Sequence, residues 1–147
     1  MTRRRGSSSA LPPALLICCK DYRFIQPIQR FVKNRLGIRF YDLKATAGGL
    51  RAMMDSPPVV RQWIWNDIEL VYRLHGVRRI ILVQHEDCAA YGGSKAFKDL
   101  HQERAFQQRR LGAAKRHVAR SLKGVRVETF FASKHGSTVR LLRVRAT

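Results

Sequence analysis

The sequence predicts an α/β fold: a central, mostly parallel sheet of four strands in the order 2-1-3-4, a C-terminal antiparallel edge strand, and helices on both faces. Three features carry this reading. Ala14-Leu15-Leu16-Ile17-Cys18-Cys19 and Ile80-Ile81-Leu82-Val83 are apolar without alternation, as strands covered on both faces must be. Stretches with helical spacing of apolar residues lie between the strand-like runs. The last two runs, 125–133 and 138–144, are separated only by Lys134-His135-Gly136-Ser137, short enough for a hairpin. With right-handed crossovers, the first and third strands become neighbours when their connections leave in opposite directions. That arrangement opens a crevice at their C-terminal ends.

The elements follow in order. Residues 1–13 are rich in Arg and Ser, have little to bury, and read as a basic flexible tail ahead of a single domain over 14–147. Residues 14–19 form the first strand. Residues 24–36 place Phe24, Ile28, Phe31, Val32 and Leu36 on one helical face, with Pro27 near the start and Gly37 at the stop. Residues 38–43 are the second strand, leading into Lys44-Ala45-Thr46-Ala47-Gly48-Gly49. Its paired glycines fit either a plain turn or a close approach of backbone to a ligand.

Ser56-Pro57-Pro58 opens the second helix with Ser56 as N-cap, and Val60, Ile64, Ile68, Val71 and Leu74 keep its spacing until Gly76. Trp63 and Trp65 on that helix read as packing or subunit-contact residues. Residues 77–84 are the third strand. Ser94 is expected to cap a helical segment over 95–123 that Gly112 divides into two pieces. His135 belongs to the turn between the last two strands.

Composition narrows the function classes. The 29 Lys and Arg against 10 Asp and Glu give 147 residues a net charge of +19, so the surface is strongly cationic and attracts anions and nucleic acid at least non-specifically. The arginines are spread along the chain and no stacking or base-reading motif accompanies them, which argues against a dedicated nucleic-acid reader. No apolar run approaches the roughly 20 residues needed to cross a bilayer. Three cysteines are too few for a disulfide scaffold, and the expectation is a reducing, cytoplasmic setting.

The chemistry concentrates at two strand ends. His85-Glu86-Asp87-Cys88 ends the third strand, and an imidazole and a thiolate at that spacing can close on one ion, zinc first. Cys19 ends the first strand, about 4.8 Å away if the two strands are neighbours, and supplies a third ligand. Three protein ligands and one open position describe a catalytic zinc rather than a structural one. Cys18 points to the other face and reads as a core residue. The competing reading makes all three cysteines small buried apolar residues.

These residues resemble the zinc motifs of the β-class carbonic anhydrases, Cys-x-Asp-x-Arg after the first strand and His-x-x-Cys after the third, here Cys19-Lys20-Asp21-Tyr22-Arg23 and His85-Glu86-Asp87-Cys88. Ala47-Gly48-Gly49 looks like the family's Ala-Gly loop, and the closing strands look like its C-terminal hairpin. The resemblance implies Zn²⁺ on Cys19, His85 and Cys88, and a dyad of Asp21 and Arg23 in which the guanidinium keeps the carboxylate ionised and turned from the metal. It implies hydration of carbon dioxide to bicarbonate and a proton by a zinc-bound hydroxide, with Tyr22, Ala47, Gly48, Gly49 and Ala89 around the substrate. It also implies a homodimer or higher homo-oligomer.

The chain departs from the family at Tyr22, where Ser or Ala is usual, at Ala89, where Gly is usual, and at Ala45-Thr46, where Arg-Asn is usual. Two further classes stay open: a zinc hydrolase of another small electrophile such as carbon disulfide or carbonyl sulfide, and a non-catalytic, zinc-stabilised basic protein that binds nucleic acid.

Overall fold

The computed structural model describes residues 13–145, so the expected tail lies, but for its last residue, outside the described residues. Its elements are β1 (Ala14–Cys19), α1 (Ile25–Asn34), β2 (Tyr41–Thr46), α2 (Leu50–Met54), α3 (Pro58–His75), β3 (Arg79–His85), two 3-10 turns (Ala89–Tyr91 and Ser94–Ala96), α4 (Leu100–Ser121), β4 (Arg126–His135) and β5 (Thr138–Arg143). They build one sheet in the order β2-β1-β3-β4-β5, parallel except for the β4–β5 hairpin, as the sequence predicts.

Side-chain alternation along β1 divides the core. Leu15 and Ile17 join Ile64 and Ile68 of α3, Leu111 and Val118 of α4, and Leu50 of α2 on one face. Leu16 and Cys18 join Phe24, Ile28 and Val32 around α1 on the other. Both faces of β1 and β3 are therefore covered, which accounts for their unbroken apolar runs.

Four local expectations are corrected. The second strand begins at Tyr41 rather than residue 38, because the buried Ile38 donates its N–H to Val32 O and closes off α1. Ser56 is not an N-cap: its hydroxyl donates back to Ala52 O, at the end of the unforeseen α2, and Pro57 takes the cap position of α3. Gly112 does not divide α4, which runs unbroken with Gly112 buried. The helix starts instead at Asp99, whose carboxylate accepts from Gln102 N–H at 2.8 Å, and Ser94 begins a separate 3-10 turn.

The tryptophans divide. Trp65 packs against the core and His117, whereas Trp63 is 66% exposed with Lys44 Nζ 4.8 Å above its ring. Among the described residues no helix is long and apolar enough to cross a membrane.

Candidate metal centre

Because β1 and β3 are adjacent and parallel, their last residues, Cys19 and His85, emerge side by side. A turn through Asp87, whose φ of 56° lies in the left-handed region, brings Cys88 back beside them. The Sγ atoms of Cys19 and Cys88 and a ring nitrogen of His85 all lie within 4.8 Å of one another, and all three residues are buried. Cys18, one residue earlier, faces the α1 side, and burial followed by the charge of Cys19 pushes its thiol up to about 12.

The surroundings prepare these groups as ligands. Hydrogen bonding from Cys88 is the main reason that Cys19 is lowered to about 4. Burial opposes the shift, and the backbone N–H of Gly48, 3.3 Å from Sγ, reinforces it. Cys88 moves the other way, chiefly because it supplies that hydrogen bond. His85 places Nδ1 2.7 Å from the carbonyl oxygen of Glu86. A carbonyl can only accept, so the proton sits on Nδ1 and Nε2 presents a lone pair. That Nε2 is buried and has no hydrogen-bond partner among the described residues. An orphaned imidazole nitrogen aimed at two thiols, one of them readily ionised, fits a soft divalent ion such as zinc.

Asp21 and Arg23 form the expected pair. Arg23 donates from Nε to Asp21 Oδ1 at 3.1 Å, from Nη2 to Oδ2 at 2.7 Å and from its backbone N–H to Oδ1 at 2.9 Å. The Arg23 side-chain hydrogen bond is the leading cause that holds the Asp21 carboxyl down at about 2. Asp21 Oδ2 lies 3.9 Å from His85 Nε2, so the carboxylate stands beside the ligand atoms.

Sequence reasoning missed what the rest of Arg23 holds. Nη1 donates to Asp87 Oδ2 at 2.9 Å and Nη2 to Asp87 O at 3.0 Å, tying the loop after β1 to the loop after β3. Asp87 in turn donates its N–H to the buried Glu103 carboxylate at 2.8 Å and accepts from Ser94 N–H at 2.8 Å. Beneath this, buried Gln84 accepts from Leu50 N–H and donates to Gln107 Oε1. Asp87 is legible as part of the His-x-x-Cys motif, but Glu103, Gln84 and Gln107 carry no local signal.

A cavity of about 560 Å³ opens over the cluster. Tyr22, Ala47, Gly48 and Ala89 line it, together with the two cysteines, Asp21 and Arg23. Gly49 does not line it, contrary to expectation. It packs beneath, where a Cβ would stand 2.6 Å from Gln84 Oε1 and 3.0 Å from Cys19 N. Tyr22 is 85% exposed at the cavity.

Residues 13–141 match the family described as "Putative carbonic anhydrase". An uncharacterized protein of Rickettsia conorii is 25% identical over 127 residues, 83% of this chain and 68% of its own. Among solved structures, the β-carbonic anhydrase CafD of Aspergillus fumigatus superposes with a TM-score of 0.58 at 11% identity, covering 95% of this chain and 92% of that one. The carbonic anhydrase of Glaciozyma antarctica gives 0.56 at 15% identity over 94% and 86%. A tetrameric β-carbonic anhydrase of Sordaria macrospora gives 0.52 at 17% identity over 89% and 80%. At these identities the solved structures share the fold.

Proposed function

The chain is a divergent member of the carbonic anhydrase family with the fold of its β class, and we propose on that premise that it hydrates carbon dioxide reversibly to bicarbonate and a proton, with zinc held by Cys19, His85 and Cys88. The observation that carries this reading is the convergence of three donor atoms within 4.8 Å beside a carboxylate locked by Arg23.

Zinc, when bound, supplies the Lewis acidity that brings the pKa of a coordinated water to about 7. The chain's own groups do the rest. Arg23 donates to both oxygens of Asp21, fixing the carboxylate as an ionised acceptor that orients the attacking water and cannot swing freely to the metal. Gly48 N–H steadies the Cys19 sulfur. The methyl groups of Ala47, Ala89 and Ala90 give an apolar wall suited to linear, uncharged carbon dioxide. Lys20 and Arg23 on the same cavity favour the anionic product in the return direction.

We further propose a homo-oligomer. Support comes from Val59, Trp63, Leu70 and Leu74 exposed on α3, and from Phe40 and Leu43 exposed at the free β2 edge. Lys44 joins these two regions by pairing with Asp67 at 2.6 Å. Light scattering at micromolar concentration tests it, and a monomer would refute it.

Stopped-flow carbon dioxide hydration on zinc-quantified protein across pH 6.5 to 9 tests the activity, with Cys88→Ser and Asp21→Asn alongside. The expected result is one zinc per chain, activity rising with pH, and loss of activity in both variants. Full zinc occupancy with no hydration at any pH would overturn the proposed substrate.

A further inference from the structure

A second cavity, of about 500 Å³, lies between α1 and the start of β5 and shares Arg23 with the cavity over the candidate metal ligands. Arg23, Arg30 and Arg35 line it with Asn34, over apolar surface from Phe31 and Leu141, and no carboxylate among the described residues lines it. Arg30 and Arg35 carry no ion pair among the described residues. Arg39, Arg61 and Arg109 are likewise without an ion pair among the described residues, so what marks Arg30 and Arg35 is the concavity they share.

We propose that this cavity binds a small organic phosphate. Unpaired guanidinium groups around one concavity repel one another, and an anion that accepts from them relieves that repulsion with charge-assisted, bidentate hydrogen bonds. The charges of Arg30 and Arg35 exceed what a single carboxylate neutralises and suit a phosphate monoester, which carries up to two negative charges, while the charge of Arg23 is already met by Asp21 and Asp87. The α1 C-terminus, whose end the cavity adjoins, opposes an anion with only about half a charge. The volume is in the range of ligand pockets and far above the needs of a bare inorganic ion. The apolar surface of Phe31 and Leu141 accounts for the remainder as the seat of the ligand's body.

Arg23 connects this cavity to the metal centre. Of its five N–H groups, four are taken by Asp21 and Asp87. One on Nη1 is left uncommitted among the described residues and is available to an occupant. The inference does not depend on the reaction proposed above, because its test reads binding.

The experiment is isothermal titration of zinc-loaded protein at about 0.15 M ionic strength, where long-range attraction to the +19 surface is screened beyond about 8 Å. The probes are adenosine monophosphate, inorganic phosphate and adenosine. The variants are Arg30→Ala/Arg35→Ala and a control with the same charge change on α4, Arg109→Ala/Arg120→Ala. Expected is one saturable site for adenosine monophosphate, weaker competition by inorganic phosphate, and no binding of adenosine. The first variant should lose about tenfold or more in affinity, as removal of two charge-assisted contacts implies, with the control near wild type. Equal losses in both variants, equal binding of adenosine, or no saturation at millimolar probe would each overturn the proposal. Unchanged circular dichroism and melting of Arg30→Ala/Arg35→Ala exclude misfolding as the cause.

Discussion

Gly49→Ala tests how tightly the loop under the metal centre is packed. Gly49 has φ 58° and ψ −102°, a conformation that side chains resist at a cost of about 1 to 3 kcal/mol. Its new Cβ would stand 2.6 Å from Gln84 Oε1, 3.0 Å from Cys19 N and 3.1 Å from Cys18 C. The backbone of β1 is held between β2 and β3 and cannot retreat, so Gln84 must move. Moving it breaks its hydrogen bond from Leu50 N–H, another 1 kcal/mol or so with one partner left buried.

The sum is about 2 to 4 kcal/mol, and at roughly 3 °C per kcal/mol for a chain of this size the melting temperature falls by about 6 to 12 °C. Gly37→Ala is the control. Its φ is 70° but a Cβ there meets nothing within 4 Å, so only the backbone cost of about 1 to 2 kcal/mol applies. Thermal melting of both variants at matched zinc content decides. Equal drops for the two would refute the claim that contact with Gln84 and Cys19, rather than backbone conformation, dictates glycine at this position.

The remaining predictions concern neighbouring groups. Cys18→Ala should keep one zinc per chain and Cys19→Ser should lose it, measured by metal analysis after dialysis, because adjacent residues of β1 face opposite sides of the sheet. Glu103→Ala leaves the Asp87 N–H without its acceptor and should cost about 1 to 3 kcal/mol in urea unfolding, together with turnover, since that loop carries Cys88. Burial pushes the Glu128 carboxyl up, but Arg79, Arg143 and Arg126 outweigh it and hold it below the usual range. Its pairing therefore contributes stability that is complete above the unfolded pKa near 4.3 and is lost as pH falls through the lower folded value. Glu128→Gln should thus be less stable at pH 7, with the gap narrowing as pH falls below about 4. A gap independent of pH would contradict this.

The fold was legible where burial leaves a periodic trace. The unbroken runs 14–19 and 80–83 mark strands covered on both faces, and their ends locate the three candidate ligands. Errors arose where one residue type serves two purposes. Ile38 is as apolar as a strand residue but is buried to close α1, Ser56 sits where an N-cap belongs but bonds backwards, and Gly112 is tolerated because α4 is held by its packing. The hydrogen bonds that support the site join residues 16 to 34 positions apart, Glu103 to Asp87, Gln107 to Gln84 and Gln84 to Leu50, and no pattern within a single helix or strand encodes them.

The double hold of Arg23 on Asp21 and Asp87 bears on how the centre is loaded. The ties between the two ligand-bearing loops are made wholly by protein groups, and the sheet beneath them by backbone, so withdrawing the ion severs none of them. In a zinc finger the ion is the fold, and a chelator unfolds the chain. With zinc held as proposed, these ties predict that removing the ion leaves the chain folded and makes metal exchange a local event, which circular dichroism before and after chelation checks. The expectation that follows is a chain that, once stripped by a chelator, regains its metal on addition of zinc without a refolding step.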